Sequence, residues 1–143
     1  MLNFMILNDK VTLKYFSIDR HSLIIHEIES DSSKFTTLEP DSLESFLFSN
    51  KECVILDVRT KEEFEGKSSP NLGTLKNAIH IPYQDLETRS VELEKYKNQT
   101  ILVYCARSRR SLIAAEILSK KGFKKIINLN GGIQMIKNKK LKK

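Results

Sequence analysis

Short apolar segments of β type alternate with segments of helical character along most of this chain, and that alternation limits the folds open to it. The run Cys53–Leu56 is apolar without interruption, as expected of a strand that is covered on both faces. Strands separated by helices imply a parallel sheet with helices on both of its faces. We therefore predict an α/β domain with strands at Phe35–Leu38, Cys53–Leu56, Ala78–Ile81, Thr100–Tyr104 and Ile126–Leu129.

Helix-start and helix-stop signals lie between these strands. Pro40 suits the first turn of a helix. Thr60 and Glu63 have the spacing of a capping box. Gly122 occupies the usual stop position after the longest predicted helix. The predicted helices are Pro40–Leu47, a turn after Thr60, Tyr83–Leu86, Val91–Tyr96, Leu112–Lys121 and a terminal helix from Ile133.

The first thirty residues form a separate, β-rich extension. The segments Val11–Ile18 and Ser22–Ile28 are both of β type, and Asp19–His21 between them is a plausible turn, so we predict a β-hairpin. The polar stretch Glu29–Lys34 lacks periodicity and is predicted to be a linker. The predicted organisation is an extension over residues 1–34, a domain over 35–138 and a basic tail over 139–143.

The net charge of +6 raises the question of an anionic partner such as nucleic acid. No RNA- or DNA-binding motif with interleaved aromatic residues accompanies that charge. Much of the excess lies at the C-terminus, where a lysine-rich end is typically a solvated tail. We therefore predict no nucleic-acid partner and attribute the charge to Lys137, Lys139, Lys140, Lys142 and Lys143.

The cysteine count and the hydropathy pattern predict a location in the cytoplasm. Two cysteines in 143 residues are not a disulfide framework and favour a reducing compartment. The apolar start Met1–Leu7 is too short for a signal peptide. No apolar run approaches the ~20 residues of a membrane span, so no membrane partner is predicted.

Cys105 has the sequence surroundings of a nucleophile. The apolar run Ile101–Tyr104 leads into it, and a basic loop and a predicted helix follow. A cysteine at a helix N-terminus is favoured as the thiolate, and three arginines within five residues strengthen the positive field. We predict that Cys105 lies in an anion-binding cradle, a geometry that phosphatases, reductases and sulfurtransferases share. The three arginines are Arg107, Arg109 and Arg110.

The other thiol and the histidines carry weaker signals. A buried core thiol is the competing interpretation of Cys105, and the basic loop after it argues against that interpretation. Cys53 begins an apolar strand and is predicted to be structural. His21, His26 and His80 show no ligand spacing with each other or with cysteine, so no metal site is predicted.

Four segments in chain order resemble the motifs of rhodanese-like domains. The first is Asp57-Val58-Arg59 followed by an acidic pair and Phe64, and the second is Asn77–Pro82. The third is Tyr104–Ser111, which resembles the active-site loop. The closing segment comprises Gly122-Phe123 and Asn128–Gly132. The resemblance covers roughly Phe35 to Lys137 and leaves out the first thirty-odd residues.

The resemblance implies a five-stranded parallel sheet flanked by helices and a sulfurtransferase activity. Cys105 matches the cysteine that accepts sulfur as a persulfide, Arg110 the arginine that closes the loop, and Ser111 the hydroxyl residue after it. Asp57 and Arg59 match a pair regarded as structural. A small anionic donor, thiosulfate-like or a persulfide, and a thiol, protein or cyanide acceptor are implied, with no cofactor. The predicted donor-binding residues are Ala106, Arg107, Ser108, Arg109, Arg110 and Ser111.

Three departures from the family pattern bear on the substrate. Ser108 stands where the loop commonly has glycine, so its backbone must avoid positive φ or be strained. The segment between Phe64 and Ala78 is longer than usual and lacks a histidine. The tryptophan that usually follows the Gly131-Gly132 pair is missing.

Two other functions compete with sulfur transfer. Cysteine-dependent phosphatases have a loop one residue longer than the one that separates Cys105 from Arg110, so phosphatase or arsenate reductase activity fits less well. A non-catalytic rhodanese-like binding module is the main alternative. In that alternative, the extension or the basic tail engages a partner.

Overall fold

The computed structural model describes residues 3–7, 10–19, 22–30 and 35–143, and the chain divides into two compact units, Met1–Ser33 and Lys34–Lys143. The first unit is an antiparallel sheet of three strands, β1 (Asn3–Leu7), β2 (Lys10–Asp19) and β3 (Ser22–Ser30), in that order.

The strands of the first unit cover the segments predicted as a hairpin and add one more. β2 and β3 pair from Val11 opposite Ser30 to Asp19 opposite Ser22. β1 pairs with the other edge of β2, where no strand was predicted. Two of the predicted linker residues, 29 and 30, belong to β3. The predicted turn residues 20 and 21 and the linker residues 31–34 lie outside the described residues.

The second unit contains the predicted five-stranded parallel sheet. Its strands are β4 (Phe35–Leu38), β5 (Val54–Asp57), β6 (Ile79–His80), β7 (Thr100–Tyr104) and β8 (Lys125–Leu129). Their order across the sheet is β4-β8-β7-β5-β6, and every pair is parallel. β7 therefore lies in the centre, and its carboxyl end is flanked by those of β5 and β8.

Four α-helices connect the strands: α1 (Leu43–Ser49), α2 (Lys61–Phe64), α3 (Leu86–Arg89) and α4 (Arg109–Lys120). The capping box before α2 is confirmed, since the Thr60 hydroxyl accepts from the Glu63 amide at 3.3 Å and the Glu63 carboxylate accepts from the Thr60 amide at 3.0 Å.

Two predicted helices differ from the structure. Val91–Tyr96 belongs to a 3₁₀-helix that begins at Ser90. The predicted terminal helix is instead a 3₁₀ turn at Ile133–Met135 and another at Lys139–Leu141. Ile136 and Asn138 have extended backbones between the two turns, and a continuous helix cannot pass through them.

Side chains of β7 alternate between two apolar cores, one on each face of the sheet. Ile101 and Val103 pack with residues of α4, including Ala114. Leu102 and Tyr104 pack on the opposite face with Leu43 of α1. The helices thus cover both faces, as the fold class predicts. Among the helices of the described residues, none has the length and apolar character that a membrane span requires.

The C-terminal residues contact the domain, and this corrects the prediction of a solvated tail. Lys142 forms a β-bridge with Leu75. The amide of Lys143 donates to the carbonyl of Thr74 at 2.8 Å, and the amide of Thr74 donates back to the carbonyl of Lys143 at 3.2 Å. The side chains of Lys139, Lys140 and Lys143 remain exposed.

Candidate active site

Cys105 forms the floor of an open pocket of about 670 Å³ at the carboxyl end of β7. Its side chain is almost wholly buried, with 1% of its surface exposed, and packs into the core on the α4 side. The loop after it leads directly into α4. The pocket walls comprise Glu63, Ser69, Leu72, Tyr83, Ala106, Arg107, Arg109, Arg110 and Ile113.

Backbone hydrogen bonds from the closing segment hold the start of this loop. The amide of Ile133 donates to the carbonyl of Cys105 at 2.9 Å, and the amide of Gln134 donates to the carbonyl of Ala106 at 3.3 Å. Gly132 has a φ of 69°, and a Cβ at this position would overlap with the Ala106 carbonyl. Glycine is required here both by the left-handed backbone and by the close approach.

Ser108, at the position where this loop commonly has glycine, has a left-handed backbone conformation with a φ of 79°. It precedes the first residue of α4, but its side chain does not cap that helix. The buried hydroxyl instead donates to the carbonyl of Leu129 at 2.7 Å. A non-glycine residue at positive φ carries strain of about 1–3 kcal/mol, and this hydrogen bond to β8 offsets part of it, about 0.5–1.5 kcal/mol.

A buried polar cluster lies behind the cysteine. The Cys105 thiol donates to the Ser111 hydroxyl at 3.5 Å. The Ser111 hydroxyl lies 2.6 Å from the Asn128 side-chain oxygen and 2.9 Å from the carbonyl of Ser108. Cys105, Ser111 and Asn128 are each at most 1% exposed. Sequence reasoning assigned no role to Asn128, although a polar residue in the apolar segment Ile126–Leu129 was the available signal.

Arg110 lies in the pocket wall with its charge paired. Its guanidinium contacts both carboxylate oxygens of Glu63, at 2.5 and 2.8 Å. The hydrogen bonds from Arg110 lower the pKa of Glu63 to about 2, against the opposing effect of burial. Sequence reasoning identified Glu63 as a capping residue and missed its place in the pocket.

Arg107 and Arg109 are both exposed at the pocket wall. Neither forms an ion pair with another residue in the described part of the chain. Both charges are therefore at the pocket lining, exposed to solvent, where an incoming anion can reach them.

Asp57 and Arg59 form a fully buried ion pair at the end of β5, outside the pocket lining. The Arg59 Nη2 lies 2.7 Å from the Asp57 carboxylate and also donates to the carbonyl of Gly73 at 3.0 Å. The guanidinium lies over the ring of Tyr104, at 5.6 Å from its centroid. These contacts join three segments of the domain and support the structural role that the resemblance implies.

His80 and Cys53 lie outside the lining of the Cys105 pocket. The Nε2 of His80 is 2.8 Å from the carbonyl of Arg59, and its ring stacks on Phe64. Burial raises the pKa of Cys53, which is consistent with a structural thiol. Within the described residues, no group of three or more His, Cys, Asp or Glu side chains is arranged to hold a metal ion.

Comparison with known proteins gives matches over the same segment. Residues 39–139 match the family described as rhodanese-like domain. YrkF of Bacillus subtilis (strain 168), which its name describes as a candidate sulfur carrier protein, is 36% identical over 109 residues. The match covers 74% of this chain and 55% of YrkF, so the chain spans about half of that relative.

In two further matches, the aligned region covers most of the matched protein. The thiosulfate sulfurtransferase PspE of Escherichia coli (strain K12) is 33% identical over 87 residues, 61% of this chain and 77% of PspE. The crystal structure of a rhodanese-related protein from Thermoplasma volcanium has a TM-score of 0.55 at 30% identity and covers 69% of this chain and 87% of that one. On the match over residues 39–139, the chain belongs to the rhodanese-like domain family.

Proposed function

We propose that this protein is a sulfurtransferase that moves sulfane sulfur through a persulfide on Cys105. The observation that carries the proposal is a cysteine at the floor of an open pocket, with three arginines in the walls of that pocket. The relative PspE, named as a thiosulfate sulfurtransferase, supports the same chemistry.

The reaction needs two displacements at sulfur. The Cys105 thiolate attacks the outer sulfur of a thiosulfate-like donor, a bond forms between the two sulfurs, and the donor's S–S bond breaks. With thiosulfate, sulfite leaves with the bonding electron pair, and a persulfide anion remains on Cys105. A thiol or cyanide then attacks the outer sulfur, and the Cys105 thiolate is the leaving group. No net oxidation occurs in either step, and this covalent exchange is a form of nucleophilic catalysis.

The charges of the pocket fit an anionic donor that enters from solvent. Arg107 and Arg109 attract the anion at the opening. Arg110 lies deeper and shares its charge with Glu63. The cavity of about 670 Å³ has room for a thiosulfate-sized donor, from which the departing anion is formed.

A non-catalytic binding module is the second candidate, and two observations favour it. Cys105 is almost wholly buried, and Arg110 already has a carboxylate partner. A rhodanese-like domain without turnover would use the same pocket wall to hold an anionic segment of another protein.

Intact-mass measurement after incubation with thiosulfate tests the proposal. A mass gain of about 32 Da that cyanide removes would be the persulfide. Cys105→Ser should show neither the gain nor turnover, whereas Cys53→Ser is the matched control and should retain both. If a range of sulfur donors leaves the mass unchanged, the binding module becomes the better account. Turnover by Cys105→Ser would contradict the mechanism.

A further inference from the structure

The buried polar cluster behind Cys105 contains more acceptors than the Ser111 hydroxyl can serve. The Ser111 Oγ has one proton, and two acceptors lie within 3 Å of it, the Asn128 Oδ1 at 2.6 Å and the carbonyl of Ser108 at 2.9 Å. The Cys105 thiol donates to the same oxygen from 3.5 Å. While the thiol is protonated, the hydrogen bonds therefore run from Cys105 to Ser111 and on to Asn128.

Loss of the thiol proton changes the sulfur of Cys105 from a hydrogen-bond donor to a hydrogen-bond acceptor. A thiolate accepts hydrogen bonds and cannot donate one. Ser111 can supply a donor only by withdrawing its proton from Asn128, and that leaves the Asn128 oxygen 2.6 Å from another oxygen. At this burial, two facing acceptors with no proton between them are costly.

The Asn128 side chain can resolve this conflict because an amide carries a donor and an acceptor in the same shape. Rotation of the amide by half a turn exchanges its oxygen and nitrogen without a change of volume. The nitrogen then donates to Ser111, and the oxygen faces the Ser108 hydroxyl, which lies 3.5 Å from the present nitrogen position. Ser108 keeps the hydrogen bond that it donates to the carbonyl of Leu129. It gives up the one that its hydroxyl oxygen accepts from the Asn128 amide, but at 3.5 Å this contact is much longer than the 2.6 Å contact that the rotation relieves.

The geometry points to Asn128 as a positioning residue that reverses the hydrogen-bond chain when Cys105 ionises. In the thiol state, Cys105 donates to Ser111 and Ser111 donates to Asn128. In the thiolate state, Asn128 donates to Ser111 and Ser111 donates to the sulfur. The thiol proton leaves to solvent through the open pocket, and Ser111 keeps its own proton throughout. The inference rests on the proposed function only in that Cys105 works there as a thiolate.

Aspartate at position 128 is the sharpest test, because a carboxylate accepts but does not donate. Rates of alkylation by iodoacetamide report the thiolate, and the parent is Cys53→Ser so that only Cys105 reacts. Asn128→Asp should lower the alkylation rate at pH 7 about tenfold and move the midpoint of its pH profile upward by about one unit. The charged and titratable groups that face Cys105 are unchanged in this variant: Glu63 on α2, Tyr83 before α3, and Arg107, Arg109 and Arg110.

A double-mutant cycle separates this role from the effect of an added charge. In the Ser111→Ala background, the link between position 128 and the sulfur is cut, so Asn128→Asp should change the rate less than about threefold. Asn130→Asp adds the same charge at the exposed residue directly after β8, where the side chain contacts Glu39 and not Ser111, and should leave the rate unchanged. An equal effect of Asn128→Asp in both backgrounds would overturn the inference.

A second variant keeps the test decisive if the aspartate variant does not fold. Asn128→Leu keeps the number and branching of the side-chain heavy atoms and removes both donor and acceptor, and we expect alkylation about threefold slower than in the parent. Alkylation at the parent rate or faster would contradict a donor role for Asn128. Because alkylation needs no sulfur transfer, these shifts can appear in a protein that forms no persulfide. That outcome would refute the proposed function and leave the reversal intact.

Discussion

The domain contains two arginine–carboxylate pairs of similar geometry and different surroundings. Asp57–Arg59 has both side chains fully buried, and it also bonds the backbone of the loop at Gly73. Glu63–Arg110 is 15% and 25% exposed and lies in the pocket wall. The contact distances of the two pairs are similar and their burial differs, so we expect burial to separate the pair that holds the fold from the pair that can respond to a ligand.

The largest expected effect is on the fully buried Asp57–Arg59 pair, the inner pair. Arg59→Leu leaves the buried Asp57 carboxylate without its cationic partner, although the backbone amide of residue 59 still donates to it, and such a loss typically costs about 3–5 kcal/mol of stability. Urea unfolding followed by far-UV circular dichroism measures the loss. Arg89→Leu is the matched control, because the Arg89–Glu92 pair is exposed and should cost less than about 1 kcal/mol. Equal losses in the two variants would remove the distinction by burial.

The Glu63–Arg110 pair in the pocket wall, the outer pair, should instead control donor binding. Glu63→Gln keeps the acceptor for the Thr60 amide and releases the charge of Arg110 into the pocket. We expect the KM for thiosulfate to fall about fivefold, which corresponds to roughly 1 kcal/mol. Steady-state kinetics with cyanide as the acceptor measures it. Glu62→Gln, a neighbour on the exposed side of α2, is the control and should leave the KM unchanged. A higher KM in Glu63→Gln would show that the ion pair orients the loop more than it masks charge.

Acid should weaken the outer pair in a defined range. The pKa of Glu63 is about 2 in the folded protein against an ordinary value of 4.5. A carboxyl group whose pKa is lowered by folding stabilises the fold when the pH is above its ordinary pKa. That contribution is lost as the pH falls toward the pKa of the group in the folded protein. The stability advantage of the natural protein over Glu63→Gln should therefore be constant from pH 7 to about 5 and fall to roughly half by pH 3. Unfolding curves of both proteins across this range are the measurement, and an advantage that grows in acid would contradict the assignment.

The smallest effect expected is that of salt. Screening at 1 M acts strongly on exposed charges and weakly on buried ones. Sodium chloride at that concentration should reduce the stability difference caused by Glu63→Gln by about half, and it should leave the difference caused by Arg59→Leu nearly unchanged. Denaturation in urea, which adds no ions, keeps the ionic strength defined. Similar salt sensitivity of both differences would mean that the two pairs have the same exposure in solution.

The parallel sheet and the position of Cys105 could be predicted because local patterns encode them. Uninterrupted apolar runs indicated the central strands, and Cys105 comes directly after the middle one. The roles of Glu63 and Asn128 could not be predicted in this way. Their partners are 47 and 17 residues away in sequence, and such contacts arise only when the strands assemble.

The C-terminal residues and Ser108 also make contacts that local sequence patterns do not predict. The lysine-rich composition indicated a solvated tail, but the backbone there pairs with Thr74 irrespective of side-chain charge. At Ser108, the sequence predicted a choice between an ordinary φ and strain. The hydroxyl contact to Leu129 that accompanies the left-handed backbone depends on a strand 21 residues further along.

The hydrogen bonds from Ile133 and Gln134 to the cysteine loop have a consequence for biosynthesis. The loop residues are made first, and the amides that hold the Cys105 and Ala106 carbonyls come near the end of this domain. On a ribosome, the loop can reach its final form only after residue 134 has left the exit tunnel. The loop thus completes these hydrogen bonds when the rest of the domain is already in place, and a nascent chain released before Gly132 would carry Cys105 without them.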